Sequence, residues 1–258
     1  RGINMIVMDV QPYGSMRVLF DRQVVDFLRQ EKVHTVARLV CFQDGLDRFP
    51  LPQHELDRLY DAVEKTAACG FDELQLDYIR FKDGGYPYPL SVKYRFIEGL
   101  LAKCRGITGR HGMKLSADLF GRIVYNRDDY VGQKVEVFAK YTDFIYPMLY
   151  PSHFSGDSKK ISNPGPTMLE GTLRGLNRLK GTEVGLVPYI QAFDYLVRKA
   201  NMSLDRYVEE QIRAVESTEA RGWVAWHAAG NYSSVMKALD AIANNTKITC
   251  NPAGASTR

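Results

Sequence analysis

From residue 4 to residue 244 one hydrophobic pattern repeats. A short run of β-branched and aromatic residues is followed by a polar loop, then by a stretch with apolar residues three and four apart. The short runs are NMIVMDVQ (4–11), HTVARLVCF (34–42), ELQLDYIRF (73–81), KLSADLFG (114–121), DFIYPMLY (143–150), EVGLVPYIQAF (183–193) and GWVAWHAA (222–229), and they predict strands. The helical stretches fall at 21–32, 53–69, 91–111, 130–141, 167–180, 204–220 and 233–244. Strict alternation implies a parallel sheet, because parallel neighbours need a crossover of about a dozen residues, commonly a helix.

Such a sheet is either open and doubly wound or closed into a barrel. The turn after the first run, DVQPYGSM, has no GxGxxG, so it lacks the phosphate-binding turn of a dinucleotide fold. Polar groups instead recur where each strand ends: Asp9 and Gln11, Gln43 and Asp44, Asp77 and Arg80, Asp118, Tyr150 with His153, Gln191, and His227. A TIM barrel, (β/α)8, gathers functional groups on that one rim. The expected fold is therefore a (β/α)8 barrel with its first strand missing or atypical, since only seven units are present and the chain opens on a strand as a fragment would. The runs become strands two to eight. The expected domain covers residues 1–244, with 245–258 as a C-terminal tail.

Period two places Glu73, Gln75 and Asp77 on the inward face of ELQLDYIRF, with Leu74, Leu76 and Tyr78 toward the helices. The next strand repeats the arrangement with Ser116 and Asp118 inward. Asp77 and Asp118 thus sit at equivalent depth on adjacent strands, about 5 Å apart at the backbone. Glycoside hydrolysis needs such a pair, about 5–5.5 Å apart for retention or 6.5–9.5 Å for inversion. Two close carboxyls resist double ionisation, so one is held ready to donate a proton. Asp77 is the expected nucleophile or base and Asp118 the acid, with Asp9 in reserve. Arg38 and Arg80 are expected to hold a carboxylate ionised, and Gln11, Gln75, Tyr150, His153, Gln191, Trp226 and His227 to bind the substrate.

Charge and composition narrow the partners. With 34 basic and 30 acidic residues spread along the chain, the net charge of +4 forms no basic run for nucleic acid. No apolar stretch reaches the roughly 18 residues of a membrane span. Cys41, Cys69, Cys104 and Cys250 have no ligand spacing and read as small hydrophobes, and the five scattered histidines form no cluster, so neither a metal nor another cofactor is expected. No GxSxG elbow is present.

The segments VARLVCFQD, GFDELQLDYIRF, LSADLFG and YPMLYPSHF, in this order, resemble a bacterial family of glycoside hydrolase-like domains of unassigned substrate. That resemblance implies a TIM barrel distantly similar to the α-amylase-like glycosidases, with the nucleophile at the end of strand four and the acid on strand five. Asp77 and Asp118 occupy those places. Three departures stand out: Lys82 where the family has Pro, Gln43 where it has Lys, and Asp118 where the amylase-like acid is Glu. The implied activity is cleavage of an extracellular or cell-envelope polysaccharide. Two alternatives remain, a non-catalytic carbohydrate-binding barrel and a metal-dependent polysaccharide deacetylase with a metal near His153 or His227.

Overall fold

A computed structural model of the chain describes residues 2–12 and 14–249. Its strands are β1 (Met5–Asp9), β2 (His34–Val40), β3 (Glu73–Asp77), β4 (Lys114–Phe120), β5 (Phe144–Met148), β6 (Gly185–Leu186), β7 (Tyr189–Gln191) and β8 (Val224–Trp226). Between them run α1 (Arg22–Gln30), α2 (Gln53–Ala68), α3 (Leu90–Arg110), α4 (Val135–Phe138), α5 (Ser158–Ser162), α6 (Pro164–Arg178), α7 (Leu204–Glu216) and finally α8 (Ser233–Thr249). Every strand pairing is parallel and the order follows the chain, with β6 and β7 both paired to β5 as two segments of one strand position. All seven predicted strands are present, curled with the helices outside as in a TIM barrel. Among the described residues no pairing joins β8 back to β1, so the sheet stays open at that seam, where Ile3 and Ile6 remain exposed.

The helices form where the period-3.6 pattern meets a cap. Asp21 accepts the Gln23 amide at the start of α1 and Ser203 accepts the Arg206 amide at the start of α7. In α3 the stripe Ile97, Leu100, Leu101, Cys104 and Ile107 is buried against the sheet, each large side chain contributing about 1.5–3 kcal/mol. Leu74 and Leu76 of β3 and Leu115 and Ala117 of β4 face that layer, within one apolar core.

Three sequence expectations are corrected. Strand β3 ends at Asp77, because Tyr78 turns into a left-handed conformation (φ 53°) and donates its backbone N–H to the Asp77 carboxylate at 2.6 Å. Tyr78 therefore lies at the barrel mouth and not toward the helices. The helix expected over 130–141 shrinks to α4. Ahead of it, Asp129 accepts from Arg122, Asn126 and the Val131 amide, and Gly132 adopts φ +79° where a side chain would strike Lys93. The segment 245–258 is no simple tail, since α8 continues to Thr249; Cys250 and the residues after it lie outside the described residues. Cys41, Cys69 and Cys104 are free thiols.

Candidate active site

The register carries β1, β2, β3 and β4 side by side, with Asp9 opposite Arg38 and Leu76 opposite Ala117, so Asp77 and Asp118 follow at one level. Arg38 gathers three carboxyls from three strands. Its Nη1 donates to Asp9 Oδ1 at 2.5 Å, its Nε and Nη2 both donate to Asp77 Oδ2, the first at 3.0 Å, and its Nε stands 3.9 Å from Asp118 Oδ2. The three carboxyls are unequal in exposure. The Asp9 side chain is 65% exposed, whereas those of Asp77 and Asp118 are 7% and 3% exposed.

Burial sets the chemistry of Asp118. Desolvation, reinforced by the Asp77 charge and opposed by Arg38, pushes its carboxyl well above the usual carboxylate range, so it holds its proton. Asp77 lies within hydrogen-bonding reach, which lets the protonated Asp118 donate to it. The Arg38 guanidinium is held charged more firmly than usual by the carboxylates around it, against the cost of its own burial. A glutamine missed in the sequence fixes the end of β4. Gln133 accepts from the Phe120 amide at 2.9 Å and donates to the Asp118 carbonyl at 3.2 Å. Just beyond, a Cβ at Gly121 would collide with the Met148 carbonyl, so this turn of LSADLFG needs glycine.

A pocket of about 130 Å³ opens over this cluster, lined by Asp9, Gln11, Arg38, Gln43 and Tyr78. Gln11 donates to the Ser15 and Val40 carbonyls, which orients its amide at the pocket wall. On the opposite part of the rim, Trp226 stacks on Tyr150 at 5.9 Å and 30°, Phe193 closes edge-on against both, and His153 meets Tyr150 at 90°. Trp226 keeps 37% of its surface exposed. His227 accepts the Ala229 and Asn231 amides at Nδ1, so its Nε2 carries the proton.

Two residues expected to bind substrate, and one expected to hold a carboxylate ionised, are engaged elsewhere. Gln75 is fully buried inside the barrel, where it accepts from the Tyr189 hydroxyl at 2.8 Å. Gln191 is also fully buried: it accepts the Ser152 amide and donates to the Phe193 and Tyr195 carbonyls, tying together the loops that carry the aromatic residues. Arg80 does not reach the carboxyl pair. Its guanidinium lies over the Phe120 and Tyr78 rings and 3.9 Å from Asp83. Among the described residues, no group of three or more His, Cys, Asp or Glu side chains is arranged to hold a metal ion.

Residues 49–232 match the family described as "Putative glycosyl hydrolase domain". The chain belongs to that family. It is a glycoside hydrolase by class. No curated protein matches the sequence. Among solved structures, the glycoside hydrolase domain of PgaB (BpsB) from Bordetella bronchiseptica is similar at a TM-score of 0.65 and 14% identity, over 93% of this chain and 87% of that one. The class V chitinase from Nicotiana tobaccum in complex with NAG4 is similar at a TM-score of 0.58 and 14% identity, over 92% of this chain and 91% of that one. The spore cortex-lytic enzyme SleL from Bacillus cereus is similar at a TM-score of 0.59 and 9% identity, over 92% of this chain and 67% of that one. At these identities what is shared is the fold.

Proposed function

We propose that this glycoside hydrolase cleaves a cell-envelope or extracellular polysaccharide with Asp77 and Asp118 acting as one proton-holding unit. The observation that carries the reading is Arg38, whose single guanidinium collects Asp9, Asp77 and Asp118, with burial pushing the Asp118 carboxyl above the usual carboxylate range. Asp77 and Asp118 meet the same side of one guanidinium, Arg38 Nε standing 3.0 Å from Asp77 Oδ2 and 3.9 Å from Asp118 Oδ2, which supports reading the two as one unit and not as a pair on opposite sides of a sugar ring. Of the two, Asp77 is slightly the more exposed, at 7% against 3% for Asp118. In this scheme the single proton of the pair moves from Asp118 to the Asp77 carboxylate and from there to the leaving glycosidic oxygen, and solvent later restores it.

Asp9 is the partner for the other side of the bond. It is separated from Asp77 by the width of the guanidinium, and its exposed carboxylate lines the pocket, where it can activate water or stabilise the developing cation. Trp226, on Tyr150, offers a sugar-stacking face, with His153 and the Nε2–H of His227 near the same rim. Among the described residues no helix is long and apolar enough to cross a membrane. The envelope assignment is supported by the family resemblance and by the fold shared with a chitinase and a spore cortex-lytic enzyme. The non-catalytic carbohydrate-binding alternative would gain from widely separated carboxyls, and Asp77 and Asp118 instead lie together around Arg38, which favours the hydrolase reading.

The test is hydrolysis of a panel holding chitooligosaccharides, poly-N-acetylglucosamine and peptidoglycan by the wild type and by Asp77→Asn, Asp118→Asn and Asp9→Asn. Loss of about 10²–10⁴ in kcat/KM is expected for the first two, the range of a removed general acid. Full activity in both Asp77→Asn and Asp118→Asn would remove the pair from the mechanism.

A further inference from the structure

The backbone turn that ends β3 carries a side chain it does not suit. Among the described residues, five that are not glycine adopt a left-handed backbone, Lys32, Asp44, Tyr78, Leu196 and Asn201, and Tyr78 is the one aromatic among them. That conformation suits glycine, is tolerated by asparagine and aspartate, and is an outlier for a bulky ring. The turn is fixed from both sides. Before it, the Cys41 amide donates to the Asp77 carbonyl at 2.8 Å. After it, Ile79, Arg80 and Phe81 are buried, the Phe81 amide donates to the Val131 carbonyl at 2.8 Å, and the Leu46 amide donates to the Arg80 carbonyl at 2.9 Å. Surroundings that over-determine a backbone can hold it in strain, and such strain collects at binding sites. A glycine at position 78 would make the same turn without steric cost. The backbone alone does not explain a tyrosine.

What the ring touches supplies a reason. Tyr78 is half-buried and forms part of the wall of the pocket of about 130 Å³, together with Asp9, Gln11, Arg38 and Gln43. The Arg80 guanidinium lies over the Tyr78 ring, 5.2 Å from its centroid. Arg80 is itself held by the Phe120 ring at 4.7 Å and by the Phe81 carbonyl, to which it donates at 3.2 Å. Gly45 leaves room for this backing, because a Cβ there would stand 2.6 Å from Arg80 Nη1. The same turn aims the Tyr78 amide at Asp77 Oδ1, while Arg38 takes Asp77 Oδ2. One residue thus ties the orientation of the Asp77 carboxylate to the placing of an aromatic ring in the same pocket. A pyranose presents a largely C–H face that packs on an aromatic ring, and a ring already fixed by its neighbours loses little freedom when it is met.

We propose that Tyr78 is a specificity-determining residue of this hydrolase: its strained turn holds the ring in the pocket wall beside Asp9 and Asp77 as the platform for the sugar at the cleavage point. The inference rests on the reading of the carboxyls around Arg38 as the cleavage site. The ligand class it selects is a pyranose with an uninterrupted C–H face. Trp226, on the opposite part of the rim, is then a second platform, and the bound glycan is an oligosaccharide lying across the mouth.

The experiment is calorimetric binding of chitotetraose, of a poly-N-acetylglucosamine oligomer and of soluble peptidoglycan fragments to Asp118→Asn protein, with and without a second substitution at Tyr78. That background reads binding apart from hydrolysis. In Tyr78→Gly, which makes the turn without the ring, the Kd of the tightest of these ligands is expected to rise about tenfold or more, the size of a lost aromatic contact. Tyr78→Phe, which restores the ring on the same turn, is expected to recover most of that loss. A folded Tyr78→Gly protein that binds as tightly as its parent overturns the proposal. So does a Tyr78→Phe protein as weak as Tyr78→Gly, and so does an Asp118→Asn protein that binds none of the glycans. The thermal midpoint separates a packing role, since a ring kept only to pack on Arg80 would lower Tm in Tyr78→Gly and leave affinity where it was. Should Tyr78→Gly not fold, Tyr78→Asn, which tolerates the same turn, takes its place. Glycan consumption is followed in the same samples. Cleavage by the Asp118→Asn protein sinks the reading of Asp118 as the acid and leaves the binding comparison standing.

Discussion

The two halves of the barrel rim are built differently. On the β2–β4 side the strands are five to seven residues long and their ladders run without interruption to the functional level. On the β6–β8 side they are two or three residues long, and side-chain amides take over from the ladder. There Gln211 of α7 accepts the Gln191 amide and donates to the Gln191 carbonyl, while the Gln191 side chain holds Ser152, Phe193 and Tyr195. Charged chemistry sits on the rigid side and the aromatic contact surface on the loop-borne side. Proton transfer tolerates little displacement, whereas stacking on a ring tolerates more, which is a physical reason for this division.

The comparison can be broken most severely at Arg38. Arg38→Met leaves Asp9, Asp77 and Asp118 without their shared cation, and an unpaired buried charge costs about 3–5 kcal/mol. Loss of activity and a large drop in urea midpoint are expected together, and an unchanged midpoint would show that the carboxyls do not depend on Arg38. On the other half, Gln191→Leu strands one backbone amide and two carbonyls. A cost of about 2–3 kcal/mol is expected, with a raised KM and a kcat that falls much less. A kcat loss equal to that of Asp77→Asn would erase the distinction between the halves.

The smallest effect concerns pH. The Asp118 carboxyl is raised in the folded state, so the folded protein keeps a proton that the unfolded chain releases. Its stabilising contribution is complete below the ordinary carboxylate value and is lost as pH rises toward the folded value. Asp118→Asn should therefore abolish activity yet raise stability at neutral pH by on the order of 1 kcal/mol, about 2–4 °C in Tm, with the gain vanishing below about pH 4. A gain that persists at low pH would mean that proton holding is not its cause.

Much of this was legible in the chain. The alternation of ELQLDYIRF and KLSADLFG placed Asp77 and Asp118 on neighbouring inward positions, and both end at the same level of the sheet. The same alternation pointed Glu73 inward, and it is fully buried and paired with His34. Gln191 and Gln75 were read as ligand-directed because an amide at a strand end looks the same whether it meets a sugar or a backbone loop. Tyr78 defeated the period-two reading, since a left-handed residue after Asp77 is a backbone event that side-chain patterning does not encode.

The sequence by itself determined the parallel order of the strands, the helix layer and the two aspartates at equal depth. These follow from periodicities of 2 and 3.6 that act over a few residues. Only the tertiary structure decided that Arg38 would serve three carboxyls, that Asp118 would be enclosed enough to keep its proton, and that Gln133 would fold back from the following segment to fix the end of β4. Burial and electrostatic reach depend on which chains of atoms close around a group. That is settled when the sheet curls, by contacts that for Arg38 alone join residues 29, 39 and 80 positions apart.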